Sequence, residues 1–421
     1  MSANGANGNG DWRYRPVATL PRGVKLLDST LREGEQTPGV SFTLAQKIEI
    51  AQRLDEFGID YIEAGHPAVS DEIFQATKQI ANLGLKAEVV AHSRALKRDI
   101  DAVLRTDADW VGIFFSVADK RLEDDLRKNM DQAIALVTDC IQYAKAHGLR
   151  VRYTPEDTVR SDFQKVLRVS LAAAEAGADR IGVADTTGYM TPTTMQQFIG
   201  RLVEGVNGKT AVGIHCHDDL GMAVANSLAA CEAGAQVIDV TVNGLGERTG
   251  IAGLAQTAVA LRLKYGEGQH YKLDVLPQLS ALVEKYSRIP TPIQAPIVGR
   301  NAFSHNAGLH VAAVLMNPTH YESIPAELVG RTRRLVVDKM AGRPTVRYRL
   351  EALGIVPTDA EIDAVLNYVK RRGINDASDE ELRAIYEDVI AMRDIVTRQF
   401  APAPAPNQPI PVPVTPRPEV S

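Results

Sequence analysis

Eight short runs of β-type residues, each about one βα unit from the next, constrain this chain more than any other feature of its 421 residues. They are VKLLD (24–28), DYIEAG (60–65), AEVVAH (87–92), DWVGIFF (109–115), RVRYT (150–154), RIGVAD (180–185), AVGIHCH (211–217) and VIDVTV (237–242). Helical patterns fill the gaps. TLAQKIEIAQRLDEFG (43–58) has apolar residues at helical spacing and stops on a glycine. Such alternation argues for a parallel sheet with right-handed crossovers. A doubly wound open sheet would alternate in the same way, but eight units favour closure. The expected fold class is therefore α/β, a (β/α)8 TIM barrel, with an appended, mainly helical C-terminal domain where the pattern changes after residue 250.

The expected division is a disordered N-terminus (1–15), a catalytic barrel (16–285), a linker with a first C-terminal subdomain (286–350), a second helical subdomain (351–400) and a Pro-rich disordered tail (401–421). A net charge of -5 gives no ground for a nucleic-acid partner. No apolar run approaches the ~20 residues that cross a membrane. The first residues lack the basic and apolar regions of a secretory signal. Cys140, Cys216 and Cys231 are odd in number and widely spaced, which points to reduced thiols and a cytoplasmic location.

Barrel chemistry sits at the C-terminal ends of the strands. Polar residues collect there in DSTLREGEQ, EAGHP, AH, RYTPED, ADTTG, HCHDD and NGLGER. In HCHDD, His215 and His217 alternate on a strand and so share one face. With Glu33 from the first strand end they form a candidate divalent-metal site that leaves positions open for substrate and water. Two histidines hydrogen-bonded within a polar mouth would give the same pattern. Arg32 is a permanent cation suited to gripping a carboxylate or polarising a carbonyl. Gln36 lies in the same polar loop, and Glu63 at the end of the second strand is a further candidate for the substrate. Arg152 and Thr154 alternate on the fifth strand as holders of a second carboxylate, with His92 and Thr186 adding hydrogen bonds. Glu156 closes the same strand end. Outside the barrel, His305 and His310 lie in FSHNAGLH, and Tyr321 follows; a packed helix with a satisfied histidine is the ordinary alternative there.

DSTLREGEQ, EDTVRSD, HCHDDLGMAVANSLAACEAGA, NGLGERTGI and FSHNAGLH together resemble the metal-dependent, acyl-CoA-condensing barrels: the 2-isopropylmalate, homocitrate and citramalate synthases. The resemblance implies one divalent ion (Mg, Mn, Zn or Co) on Glu33, His215 and His217. It implies a catalytic Arg32, and a domain-swapped homodimer in which His305 and Tyr321 serve the other subunit's site. Within the group, His92, the Arg152–Thr154 pair, GERTGI and the absence of an extra leucine-binding domain resemble homocitrate synthases. That implies condensation of acetyl-CoA with 2-oxoglutarate, followed by thioester hydrolysis to (R)-homocitrate and CoA. This is the first step of lysine synthesis through 2-aminoadipate, with L-lysine as a feedback inhibitor. The base would be His305 or Glu156. The alternative is 2-isopropylmalate or citramalate synthesis from another 2-oxo acid. His66, and Asp218 where many relatives have Asn, depart from the pattern.

Overall fold

The computed structural model describes residues 20–399; the expected disordered segments 1–15 and 401–421 lie outside them. The chain forms two compact units, residues up to 303 with 324–332, and 304–323 with residues from 333 on.

The first unit is a closed parallel barrel. Its strands are β1 (Lys25–Asp28), β2 (Tyr61–Gly65), β3 (Glu88–Arg94), β4 (Trp110–Ser116), β5 (Arg150–Glu156), β6 (Arg180–Asp185), β7 (Ala211–Cys216) and β8 (Val237–Val240). Closure comes from β1, which pairs with β2 through Leu27 and Tyr61 and with β8 through Leu26 and Ile238. Helices α1 (Leu44–Phe57), α2 (Asp71–Ala81), α3 (Lys97–Leu104), α4 (Met130–Ala146), α5 (Phe163–Glu175), α6 (Pro192–Val206), α7 (Ala223–Glu232) and α8 (Leu254–Ala260) follow the strands in turn.

Local chemistry explains the boundaries. At the start of α1, Thr43 and Gln46 cap one another reciprocally, and the helix stops at Gly58, whose φ of 95° favours glycine. Its buried Ile50, Ala51, Leu54 and Phe57 form the stripe that meets the barrel. The expected strand ends at 92 and 154 shift to Arg94 and Glu156 because β4 keeps pairing with both neighbours. Pro155 is tolerated there because β6 pairs β5 only at Arg152 and Tyr153, so no partner on that side needs its missing N–H.

Inside the barrel, Leu27, Tyr61, Val90, Trp110 and Val237 pack as one cluster. The fully buried Arg180 lies over the Tyr61 and Trp110 rings, 4.5 Å and 4.6 Å from their centroids. Its terminal nitrogens have no hydrogen-bond partner among the described residues. Burial pushes its pKa down to about 10, so it remains a cation at neutral pH.

After α8 comes α9 (Leu276–Ser287), preceded by a 3-10 turn, Leu273–Val275. The barrel unit extends past the expected boundary at 285. Ile297, Phe303, Ala326 and Val329 are buried in its hydrophobic core, and Arg331 donates to the Gly299 carbonyl at 3.0 Å.

The second unit has its own core, including Val337, Val346, Leu350, Ile362, Val365 and Leu382. A parallel pair, β9 (Ser304–His305) and β10 (Arg334–Leu335), accompanies helices α10 (Gly308–Met316), α11 (Arg343–Ala352), α12 (Asp359–Arg372) and α13 (Asp379–Gln399). A Cβ on Gly308 would come within 2.9 Å of the Gly342 backbone, so glycine lets α10 and α11 start in near contact. Among the described residues no helix is long and apolar enough to cross a membrane.

Candidate active site

The turn after β1 sets the site. The Ser29 carbonyl accepts from the N–H groups of Arg32, Glu33 and Gly34, which curls the chain so that Arg32 and Glu33 line the mouth. Arg32 donates to Glu33 at 2.6 Å and to Glu63 at 2.7 Å. The fully buried Glu63 also accepts from Ser29 Oγ at 2.5 Å, His92 Nδ1 at 3.1 Å and Arg152 at 3.4 Å. Burial works to raise the Glu63 pKa, but Arg32 and Arg152 outweigh it and hold the carboxyl well below its ordinary range. An ionised Glu63 requires the N–H of His92 at Nδ1. Burial, then the nearby Arg32, pushes the His92 pKa down to about 4, so the ring is neutral at pH 7.

Glu33, His215 and His217 place one ligating atom each within 4.8 Å of one another. His215 Nε2 lies 3.4 Å from His217 Nε2, and Glu33 Oε1 lies 4.0 Å from the latter. Two nitrogens each about 2.1 Å from one ion at a tetrahedral angle would be about 3.4 Å apart, so the spacing suits a shared cation. Protonation states agree. Burial, then His215, pushes His217 down to about 4, leaving it neutral. Asp239 accepts from His215 Nδ1 at 3.1 Å, which fixes the N–H there and turns the Nε2 lone pair toward the triad. The Glu33 carboxyl, raised by burial but lowered further by Arg32 and the two imidazoles, is ionised. The donor set therefore fits a divalent ion.

These groups share a cavity of about 480 Å³ with Gln36, Glu156, Thr154 and Thr186. Arg152 lines it at 4% exposure, already engaged with Asp239 at 3.1 Å and with Glu63. The His92 ring stacks on Phe114 at 4.6 Å. His66 joins the lining with Nε2 3.2 Å from Asp99, while Asp218 accepts from the Ala223 amide at 2.8 Å ahead of α7.

His305 and Tyr321 belong to the second unit. There His305 Nε2 pairs with Glu322 at 2.8 Å, Glu322 also binds Arg333, and Tyr321 stacks on His310 at 4.1 Å. Sequence reasoning missed Asp239, Ser29 and Glu322. Asp239 left a signal, a lone carboxylate within the otherwise apolar VIDV of β8.

Residues 23–283 match the HMGL-like family, and residues 297–392 match the homocitrate synthase post-HMGL domain-like family. A homocitrate synthase of Pyrococcus abyssi is 51% identical over 78% of this chain and 90% of its own length. One from Sulfurisphaera tokodaii is 46% identical over 82% of this chain and 76% of its own length. Among solved structures, an HMG-CoA lyase from Bacillus subtilis shares the fold at a TM-score of 0.58 and 20% identity, covering 68% of this chain and 98% of that one. Half-identical to a homocitrate synthase over nine-tenths of its length and carrying both domains in order, this chain belongs to the homocitrate synthase family of HMGL-like barrels.

Proposed function

We propose that the chain condenses acetyl-CoA with 2-oxoglutarate and hydrolyses the thioester, giving homocitrate and CoA. The observation that carries this reading is one cavity holding a Glu–His–His triad together with two guanidiniums, Arg32 and Arg152. A 2-oxo acid needs an electrophilic anchor for its carbonyl end, and a diacid needs a second cationic group for its far end. A divalent ion (Mg, Mn, Zn or Co) on the triad supplies Lewis-acid polarisation of the 2-oxo carbonyl.

The chain's own residues do the rest. Arg32, held by Glu33 and Glu63, faces the carbonyl and stabilises developing negative charge. Arg152, Thr154 and the neutral His92 bind the distal carboxylate; Thr186 and Gln36 contact the other end. Glu63 acts through the four groups that it orients. The proton leaves the acetyl methyl group to a base, either Glu156 at the end of β5 or His305, which Glu322 orients. Tyr321 assists the water of hydrolysis. In this reading His305 and Tyr321 act on the barrel of a second copy, in a domain-swapped homodimer. Leu309 and Met316 on α10, 78% and 82% exposed, suit such a partner. L-lysine acts as feedback inhibitor at the 2-oxoglutarate pocket. Three free, buried cysteines suit a reducing, cytoplasmic setting.

Thiol release from acetyl-CoA, measured against a panel of 2-oxo acids, tests the assignment. 2-Oxoglutarate should give the highest kcat/KM. Preference for pyruvate or a branched 2-oxo acid would replace it with citramalate or isopropylmalate synthesis.

A further inference from the structure

Two clefts share lining residues with the candidate active site, and they differ in charge. This inference rests on the acetyl-CoA reading above. Acetyl-CoA carries its reactive acetyl group at one end and a pyrophosphate and 3′-phosphate at the other. The phosphates must leave the barrel mouth by a route that tolerates several negative charges.

One cleft, about 710 Å³, shares Glu156 and Thr186 with the active-site cavity. Its cations Lys120, Arg121 and Arg160 face five carboxylates. Arg121 lies 3.3 Å from Asp125, and Arg160 binds Asp157 through two nitrogens, at 2.8 Å and 2.7 Å. That cleft has an excess of negative charge and would repel a polyphosphate.

The other cleft, about 790 Å³, shares Val69 with the active-site cavity. Here three guanidiniums, Arg94, Arg98 and Arg105, face two carboxylates, Asp71 and Asp99. Asp99, 1% exposed, is taken by Arg94 at 2.6 Å and by His66 at 3.2 Å. Arg98 is 78% exposed and 3.7 Å from Asp99. Arg105 lies over the Phe74 ring, 5.6 Å from its centroid, and forms no ion pair among the described residues. Arg98 in α3 and Arg105 at its C-cap are seven positions apart, which brings them to one side of the helix. Guanidiniums match phosphate oxygens in charge and in fork geometry.

We propose that this cleft anchors the nucleotide phosphates of coenzyme A, with Arg98 and Arg105 as the phosphate contacts and Arg94 positioned by Asp99 at its inner edge. Steady-state thiol release from the full chain tests it. In the double variant Arg98→Ala/Arg105→Ala, KM for acetyl-CoA should rise about tenfold, as expected for two exposed charge-assisted contacts, while KM for 2-oxoglutarate holds. With S-acetylpantetheine, which lacks the phosphates, variant and wild type should coincide. Acetyl-dephospho-CoA separates the 3′-phosphate from the pyrophosphate. Arg98→Lys/Arg105→Lys should restore most of the affinity, and Arg121→Ala in the acidic cleft should not raise KM. Arg98→Glu, at a well-exposed side chain, reads the same effect should the double alanine variant not fold. An unchanged KM for acetyl-CoA, an equal rise with S-acetylpantetheine, or a rise confined to Arg121→Ala would overturn the anchor. A wild-type chain that turns over no 2-oxo acid with acetyl-CoA would instead sink the functional reading, and the anchor with it.

Discussion

Replacing Asp239 by alanine takes one oxygen away from two partners at once. Oδ2 accepts from His215 Nδ1 and from Arg152, both at 3.1 Å. Without it Arg152 keeps only Glu63 at 3.4 Å while staying buried, and breaking a buried ion pair from one side costs about 3–5 kcal/mol. His215 loses the acceptor that fixes its tautomer, and removing such a partner of a ligating histidine weakens metal affinity about 10–100-fold, roughly 1.4–2.7 kcal/mol. Asp239→Asn retains an oxygen of the same reach without the charge, so it should fall at the mild end of that range and Asp239→Ala at the severe end. Calorimetric titration of the metal-free chain with Zn or Mn reads the loss of metal affinity. Thermal unfolding of the metal-free chain reads the loss of stability, because no ion contributes there. Should Asp239→Ala bind the ion as tightly as wild type, Asp239 does not set the His215 tautomer. Should its metal-free unfolding be unchanged, the Arg152 pairing carries no stability.

Removing divalent ions with a chelator should abolish thiol release and lower the unfolding temperature, and adding the ion back should restore both; full activity in chelator would eliminate the metal role. Arg152→Ala should raise KM for 2-oxoglutarate far more than KM for acetyl-CoA, with equal changes counting against a carboxylate contact. Asp28 is fully buried, and burial lifts its pKa to about 7 from 3.8. The unfolded chain therefore gives up this proton at lower pH than the folded one, so folding is increasingly penalised as pH rises from about 4 to about 7 and stays penalised above. Asp28→Asn, which can still accept from the Thr30 amide, should raise the unfolding temperature by a few degrees more at about pH 8 than at about pH 5. An equal gain at both would show that Asp28 does not hold its proton.

The barrel could be read from the sequence because parallel strands buried on both faces leave mostly apolar runs, as in the fully buried YIEAG and RIGVAD, interrupted only by Glu63, Arg180 and Asp185. The triad was legible for a similar reason: alternation along β7 brings His215 and His217 to one side, and Glu33 ends the first strand motif. Ion pairing between strands leaves no such trace. Nothing in RVRYT says that Arg152 will meet Glu63 and Asp239, since those contacts depend on register across the barrel interior. Nor does the sequence show that residues 324–332 return to the barrel unit after 20 residues in the other; that follows from where Ala326 and Val329 find apolar cover.

The guanidinium of Arg180, resting on two rings beneath the site, alters the electrical character of the whole barrel interior. Counted with it, three arginines (Arg32, Arg152, Arg180) accompany three buried carboxylates (Glu33, Glu63, Asp239), and this set of six is electroneutral. A divalent cation breaks that balance, and a dianionic diacid restores it. A 2-oxo monoacid would leave one positive charge uncompensated in a poorly hydrated space. Selection for a diacid would then be partly a matter of neutrality, to which Arg180 contributes from beneath the cavity.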